Sequence, residues 1–311
     1  MRRIVLIGFA CVGLAWPAIA GAQQSDPTPG KVVQLVERIN ARLKAGASPL
    51  RLTEAWFFTV GRGVDPYRRL RTGVRWYKND VTYLLDESDY AGAGLPAAEV
   101  DFALDAGYQT WNGVRGSSLW ATRTPDGGGN YDILDAIVLD GSGNCVDIVD
   151  TTSPNLIAYD PSTGSFEINP AADIVFGGWI DPAYFSNCLG SANIIGVTWS
   201  FSSADSNRDN YPDLVYVEQY YNPAFAWTTT DAVYLDFDAP IDIETIAVHE
   251  NGHAIGLGHF GGPNAREPFK LQPNLKVFDP EAVMNPYYLG GEKRALFPTD
   301  VAAVTTLYRR H

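Results

Sequence analysis

The sequence predicts an α+β fold, in which a sheet lies before one buried helix and a closing helix. Short β-favouring runs at 81–85, 133–139, 173–176, 194–201 and 214–221 predict the strands. Apolar residues with helical spacing predict a helix that Asp242 caps and a last helix that Thr299 caps. At 311 residues and 46% hydrophobic content, the chain can bury the core of one large domain behind a lead-in segment.

Residues 1–22 have the composition of a secretory signal peptide. Arg2 and Arg3 give its positive start, residues 4–16 its apolar middle, and small residues at 18–22 its cleavage site. The apolar stretch is too short to span a membrane, and no other stretch is a candidate span. We therefore expect a secreted protein, extracellular or periplasmic, without a membrane span.

The chain is acidic, with a formal net charge of −13 that loss of the two signal arginines would make more negative. This charge argues against nucleic acid and anionic lipid as partners. Outside the signal segment the cysteines are Cys145 and Cys188, and an oxidising compartment favours a disulfide between them over two buried thiols. We expect a monomer.

Residues 23–72 form the lead-in. Helical apolar spacing predicts an amphipathic helix that ends near Gly46, with an apolar side made of Val32, Leu35, Val36, Ile39 and Leu43. Two interpretations stay open: a pro-segment that covers a functional cleft before activation, or a helix packed against the domain at 73–311. A basic cluster is either a solvated face or a processing site, and it consists of Arg62, Arg68, Arg69 and Arg71.

The domain at 73–311 opens with the strand at 81–85. Pro96 then begins a helix whose apolar side includes Val100, Leu104, Tyr108 and Trp111. The remaining strands follow, and they lead into the buried helix after Asp242.

That helix and the turn after it contain most of the chain's histidine residues. Of four histidines, three lie within eleven residues, at His249, His253 and His259. With about 3.6 residues per turn, the first two point the same way, and Gly256 lets the chain leave the helix so that His259 returns towards them. Three converging imidazoles predict a zinc site of the catalytic kind, because a structural site would have four protein ligands.

The residue after the first histidine is Glu250, which can reach a water at the metal without being a ligand. Three neutral ligands leave the zinc ion its full charge, so its water should ionise near pH ~7. We expect Glu250 to be the general base that removes a proton from this water and passes it to the departing amine. A surface helix with chance histidines is the alternative, and the five fixed positions argue against it.

The pattern H-E-x-x-H-x-x-G-x-x-H over 249–259, followed by Met284-Asn285-Pro286-Tyr287-Tyr288, resembles the matrixin-like metzincins. The resemblance implies a metzincin-type catalytic domain, with a twisted, mostly parallel sheet, an active-site helix and a C-terminal helix. It also implies zinc-dependent endopeptidase activity on proteins or peptides. Met284 would lie on a tight turn beneath the metal, and Tyr288 would wall the pocket for the residue after the scissile bond.

Further residues follow from the same resemblance. Pro286 stands where related groups place a tyrosine ligand, so a fifth ligand is not expected. Asp300 is either the acid that supports the Met-turn or the new N-terminus, or a helix-start aspartate that favours the helix dipole. The segment from Phe260 to Val283 is longer than in compact matrixins, and Phe260 replaces the usual Ser or Asp. The lead-in has no cysteine, which excludes a thiol switch.

A polar loop is a candidate calcium site. Oxygen-bearing side chains fall at loop positions 1, 3, 5 and 9, namely Asp205, Asn207, Asp209 and Asp213. The loop lacks the usual glycine and the final glutamate, and a polar hairpin turn needs the same residue types. Both interpretations stay open, and calcium is a second expected cofactor beside zinc only under the first.

Two functions other than a peptidase are alternatives for this sequence. A secreted binding or adhesion module could retain a structural zinc if the cleft were filled, for example by the lead-in helix or the long loop after His259. A serine hydrolase would need a histidine outside the metal motif, and His311 alone is available. We exclude the hydrolase and keep the module as the alternative.

Overall fold

The computed structural model describes residues 29–46, 48, 50–60, 74–150, 153, 159–160, 165–166, 171–203, 205–230, 232, 239–260, 262–266 and 276–309. The predicted signal peptide, the basic cluster, His311, and residues 261 and 267–275 of the segment between Phe260 and Val283 lie outside these residues. The described chain forms an α+β fold with a mixed sheet. No helix among the described residues is long and apolar enough to cross a membrane.

The helices are α1 (Pro29–Ala45), α2 (Ala97–Asn112), α3 (Ile243–Ala254) and α4 (Pro298–Leu307), with a 3₁₀ turn at Glu87–Ala93 and a π-helical turn at Tyr184–Leu189. The first strands are β1 (Arg51–Val60), β2 (Arg75–Trp76), β3 (Asp80–Leu85), β4 (Trp120–Arg123), β5 (Val138–Leu139), β6 (Cys145–Asp147), β7 (Tyr159–Asp160) and β8 (Ser165–Phe166). The others are β9 (Ile174–Trp179), β10 (Ile194–Ser202), β11 (Asp213–Tyr221), β12 (Trp227–Thr228), β13 (Ile241–Asp242), β14 (Gly262–Arg266), β15 (Lys276–Asp279) and β16 (Tyr287–Tyr288).

The main sheet has the order β16-β1-β10-β11-β9-β3-β4, and β2 pairs with β11. Most neighbouring strands are parallel; β10 runs antiparallel to both β1 and β11. Every residue of β9 and of β10 is buried, which is what a sheet covered on both faces requires.

Alternating side chains divide the core into two parts. On β11, Val217 and Tyr221 belong to the part that includes α2 and α3. Tyr216 and Tyr220, one residue earlier in each case, belong to the part that includes α1. Because successive strand residues point to opposite faces, α1 covers one face of the sheet while α2 and α3 cover the other.

Most predicted elements are confirmed, and α1 buries the five apolar residues that predicted it. The strand predicted at 133–139 is wrong except for β5. Ile133 donates its N–H to Oε1 of Glu218 and accepts from Asp150, so its backbone bonds go to a side chain and a loop instead of a ladder. Thr299 is not the cap of α4, because the helix begins at Pro298 with Phe297 as N-cap.

The lead-in contains a strand that was not predicted. β1 inserts between β16 and β10, with Trp56 opposite Thr198, Phe57 opposite Val197 and Phe58 opposite Gly196. Without β1, β10 would be the edge of this sheet among the described strands. The lead-in is therefore part of the folded core.

Candidate metal centre

The helix that carries the motif is fixed at its start by Asp242. Its carboxylate accepts the N–H of Thr245 at 2.9 Å, as predicted for an N-cap, and pairs with the guanidinium of Arg294 at 2.6 Å. Asp242 is fully buried, and every residue of α3 except Glu244 is buried too. The motif is thus held in the centre of the domain.

The three histidines converge. Nε2 of His249 lies 3.1 Å from Nε2 of His253, and one nitrogen from each of the three rings lies within 4.8 Å of the others. His259 reaches them because the backbone turns at Gly256, whose φ is 91°. A Cβ at Gly256 would lie 2.5 Å from the carbonyl oxygen of Val74, so space and conformation both require glycine.

Two of the rings are oriented by carbonyl groups. Nδ1 of His249 lies 2.7 Å from the oxygen of Val283, and Nδ1 of His253 lies 2.7 Å from the oxygen of Leu257. A carbonyl can only accept, so Nδ1 carries the proton and Nε2 offers its lone pair. Burial lowers the pKa of both rings well below 6.5 and keeps them neutral. Neutral, converging imidazoles, two of which have their Nδ1 groups oriented by carbonyls, form a group that could hold a metal ion.

Glu250 is buried beside the histidines. Its Oε2 accepts the hydroxyl of Thr198 at 2.5 Å, while Oε1 has no hydrogen-bond partner among the described residues. A Cβ on Gly196 would lie 3.0 Å from Oε1, so a larger residue there would press on the carboxylate. Burial raises the pKa of Glu250 to about 8, against the opposite effect of the Thr198 hydrogen bond.

Met284 lies directly against the motif helix. A Cβ on Gly252 would collide with Sδ of Met284, and Met284 is 1% exposed. The turn that holds this methionine is fixed by Asp300, whose carboxylate accepts the N–H groups of Val283 at 2.9 Å and Met284 at 3.3 Å. Val283 in turn accepts from the ring of His249, which connects the turn to the three histidines.

Asp300 serves both roles that the sequence left open. It also accepts the N–H of Phe297 at 2.9 Å, which is the hydrogen bond that an acidic third residue of a helix makes with the N-cap backbone. We expect Asp300→Ala to lower the free energy of unfolding by about 2–4 kcal/mol, since it leaves buried amides without an acceptor. Urea titration measures this. Asp300→Asn keeps one acceptor oxygen and should lose less than the alanine variant; equal losses would contradict the explanation.

Strand β1 passes beside the three histidines, and two of its aromatic rings contact them. The indole of Trp56 stacks on His253 with ring centroids 4.9 Å apart, and it meets the edge of His259. The ring of Phe58 stacks on His249 at 3.7 Å and meets Tyr288 edge-on at 6.1 Å. β1 also continues in parallel with β16, where Thr59 lies opposite Tyr287. The lead-in therefore contacts all three histidines.

Tyr288 is buried beside Phe58, and its role as a pocket wall stays a prediction. Its hydroxyl donates to the carbonyl of Gly291 at 3.0 Å, and the ring is 5% exposed. Phe58 occupies the space between this ring and His249. Away from the centre, Cys145 and Cys188 are joined by a disulfide, with Cα atoms 4.8 Å apart.

The polar loop at 205–213 uses its oxygens internally. Asp205 accepts the N–H groups of Arg208, Asp209 and Asn210. Asp209 accepts from Asn207 and pairs with Arg75, and Asp213 accepts from Ser206. These are the hydrogen bonds of a polar turn. Calcium binding at this loop stays a prediction.

Several residues that contact the histidine motif lie on other strands, and the sequence did not predict them. Thr198 and Gly196 lie on β10, about fifty residues before Glu250, and no spacing rule connects them. Trp56 and Phe58 were missed although the aromatic run Trp56-Phe57-Phe58 favours a strand. No family model matches the chain, and no curated protein matches it.

Proposed function

We propose that this protein is a secreted zinc endopeptidase of the matrixin-like metzincin type. The observation that carries the proposal is the convergence of His249, His253 and His259 beside a buried carboxylate, Glu250, that has one oxygen unpartnered. A structural zinc site needs neither a vacant ligand position nor an adjacent base. Protein or peptide chains are the proposed substrates, and the periplasm or the cell exterior is the proposed location.

The residues around the motif have distinct tasks in this proposal. A zinc ion bound by the histidines would supply the Lewis acidity that polarises a carbonyl and acidifies water. Oε1 of Glu250 takes the proton from the attacking water and later delivers it to the leaving amine. Thr198 holds the other oxygen of that carboxylate, which leaves Oε1 as the oxygen that can accept a proton. Asp300 keeps the Met-turn in place beneath His249.

An extended substrate would pair with β10. Peptides commonly add as a strand to a free sheet edge, where main-chain hydrogen bonds give affinity and alternate side chains enter pockets. β1 fills that edge here, and Phe58 fills the space between His249 and Tyr288. We therefore take the lead-in as a segment that keeps the enzyme latent until β1 leaves β10.

The test is a digest of peptides from a whole proteome, read by mass spectrometry. The protein is incubated with zinc, with a chelator, and with zinc restored after chelation, each after mild proteolysis within residues 61–72. We expect new peptide termini only in the two zinc arms, with an enriched large apolar residue after the cut. Zinc binding without any new terminus would reject the peptidase.

The position of β1 also favours one alternative. A binding or adhesion module that retains zinc only for structure would need a filled cleft, and β1 fills it. The module predicts one bound zinc and no turnover even after β1 has been released. Glu250 argues for the peptidase, because a structural site gives no reason to bury an unpartnered carboxylate oxygen.

A further inference from the structure

A second group of ligating side chains lies outside the histidine centre. Asp86 follows β3, Asp89 lies in the 3₁₀ turn, and Asp132 lies in the segment between β4 and β5. One carboxylate oxygen from each lies within 4.8 Å of the others. Two segments that are distant in sequence, the stretch from Asp86 to Asp89 and the loop with Asp132, thus bring three acids to one point.

Asp132 is the unusual member. It is 1% exposed, and neither Oδ1 nor Oδ2 has a hydrogen-bond partner among the described residues. A buried carboxylate normally accepts hydrogen bonds or pairs with a cation. Asp86, by contrast, uses Oδ1 to accept from the N–H and the hydroxyl of Ser88. Asp132 therefore contributes at least one oxygen to the cluster, and neither of its oxygens meets a donor among the described residues.

The backbone is shaped around this cluster. Gly177 and Gly178 at the end of β9 form its wall, and a Cβ on Gly177 would lie 2.6 Å from Oδ1 of Asp132. Gly178 has a φ of 89°, and a Cβ there would collide with Asp89. Both glycines let the β9 backbone approach the carboxylates closely.

The surroundings add negative charge. Burial raises the pKa of Asp132 well above its usual range, and the nearby carboxylates of Glu218 and Asp135 raise it further. The pKa of Asp89 rises to about 6, through burial first and then through Asp86 and Asp135. No described lysine or arginine forms an ion pair with Asp86, Asp89 or Asp132. A cation would offset this charge.

We propose that Asp86, Asp89 and Asp132 bind a calcium ion. All the donors are hard oxygens, which calcium prefers, and their irregular arrangement suits its flexible coordination better than the octahedron of magnesium. The ion would join the end of β3, the 3₁₀ turn and the segment before β5. The site is independent of the zinc centre and of the loop at 205–213.

The experiment measures calcium binding to the full chain by calorimetry and by the luminescence of bound terbium, which the nearby Trp179 can sensitise. Three proteins are compared: wild type, Asp132→Asn, and Asp140→Asn as the matched control, an exposed acid between β5 and β6 that belongs to neither candidate calcium site. We expect Asp132→Asn to weaken calcium binding at least tenfold and Asp140→Asn to change it less than twofold. Magnesium at the same concentration should bind at least tenfold more weakly than calcium.

Asp132→Asn should still fold, since it replaces a buried acid by a neutral group of the same shape. Its melting temperature without calcium should equal or exceed that of the wild type, and calcium should raise only the wild-type value. If it fails to fold, Asp89→Asn, at the rim of the cluster, replaces it with the same expected loss of binding. Wild-type protein that does not bind calcium, or binding that survives these changes, overturns the proposal.

Discussion

Replacing Trp56 and Phe58 together by alanine is expected to raise kcat/KM for an added peptide about 100-fold. Both rings contact the histidine centre, and both lie on the strand that fills the edge of β10. Their removal weakens the docking of β1 but leaves the histidines, Glu250 and Met284 unchanged. A fluorogenic peptide with an aromatic residue after the scissile bond measures the effect.

The expected 100-fold rise in kcat/KM follows from the free energy that the two buried rings contribute by packing. Truncating one buried Phe or Trp to Ala costs about 3–5 kcal/mol. If about 2.7 kcal/mol of the total for two rings falls on the equilibrium between docked and released β1, the released fraction rises about 100-fold, since each 1.4 kcal/mol is a factor of ten. The rest falls on the stability of the whole domain.

A matched control exists on the surface. Phe102 is 74% exposed and Trp120 is 49% exposed, and neither contacts the centre. The pair Phe102→Ala and Trp120→Ala removes the same two ring types, and it should leave kcat/KM within about twofold of the wild type.

A second control locks β1 in place. Arg51 and Ser202 are partners in the β1–β10 ladder, so cysteines at both positions can form a disulfide. Turnover should fall when this bond forms and return on reduction, with the wild type treated identically. Unchanged turnover in the locked protein would show that β1 does not cover the substrate site.

Glu250→Gln, made in the variant that already carries Trp56→Ala and Phe58→Ala, is expected to lower kcat by about 10³-fold. This loss is within the range that positioned general bases contribute. Glutamine keeps the shape of the side chain and can still accept from Thr198, but its amide cannot remove a proton from water. The bound zinc, measured by metal analysis, should stay at one equivalent, because the three histidines are unchanged.

The control for this change lies on the same helix. Glu244 is in the first turn of α3 and interacts with Arg294 at the surface, away from the histidines. Glu244→Gln makes the same chemical change and should alter kcat less than about threefold. Full activity of Glu250→Gln with zinc retained would remove Glu250 from the mechanism and require a different base.

The sequence by itself determined what depends on neighbours along the chain. The spacing of His249 and His253, the cap at Asp242 and the exit at Gly256 are rules of one helix and its ends, which act over a few residues. The apolar side of α1 was readable for the same reason. These features were enough to predict a metal centre.

Only the tertiary structure decided which distant segments meet this centre. Strand pairing is set by packing across the sheet and not by local spacing, so neither the place of β1 beside β10 nor the contact between Thr198 and Glu250 was readable from the sequence. The meeting of Asp132 with Asp86 and Asp89 depends in the same way on two segments that are distant in sequence. Local periodicity fixes the direction of a side chain along one element, whereas burial in a common core fixes which elements face each other.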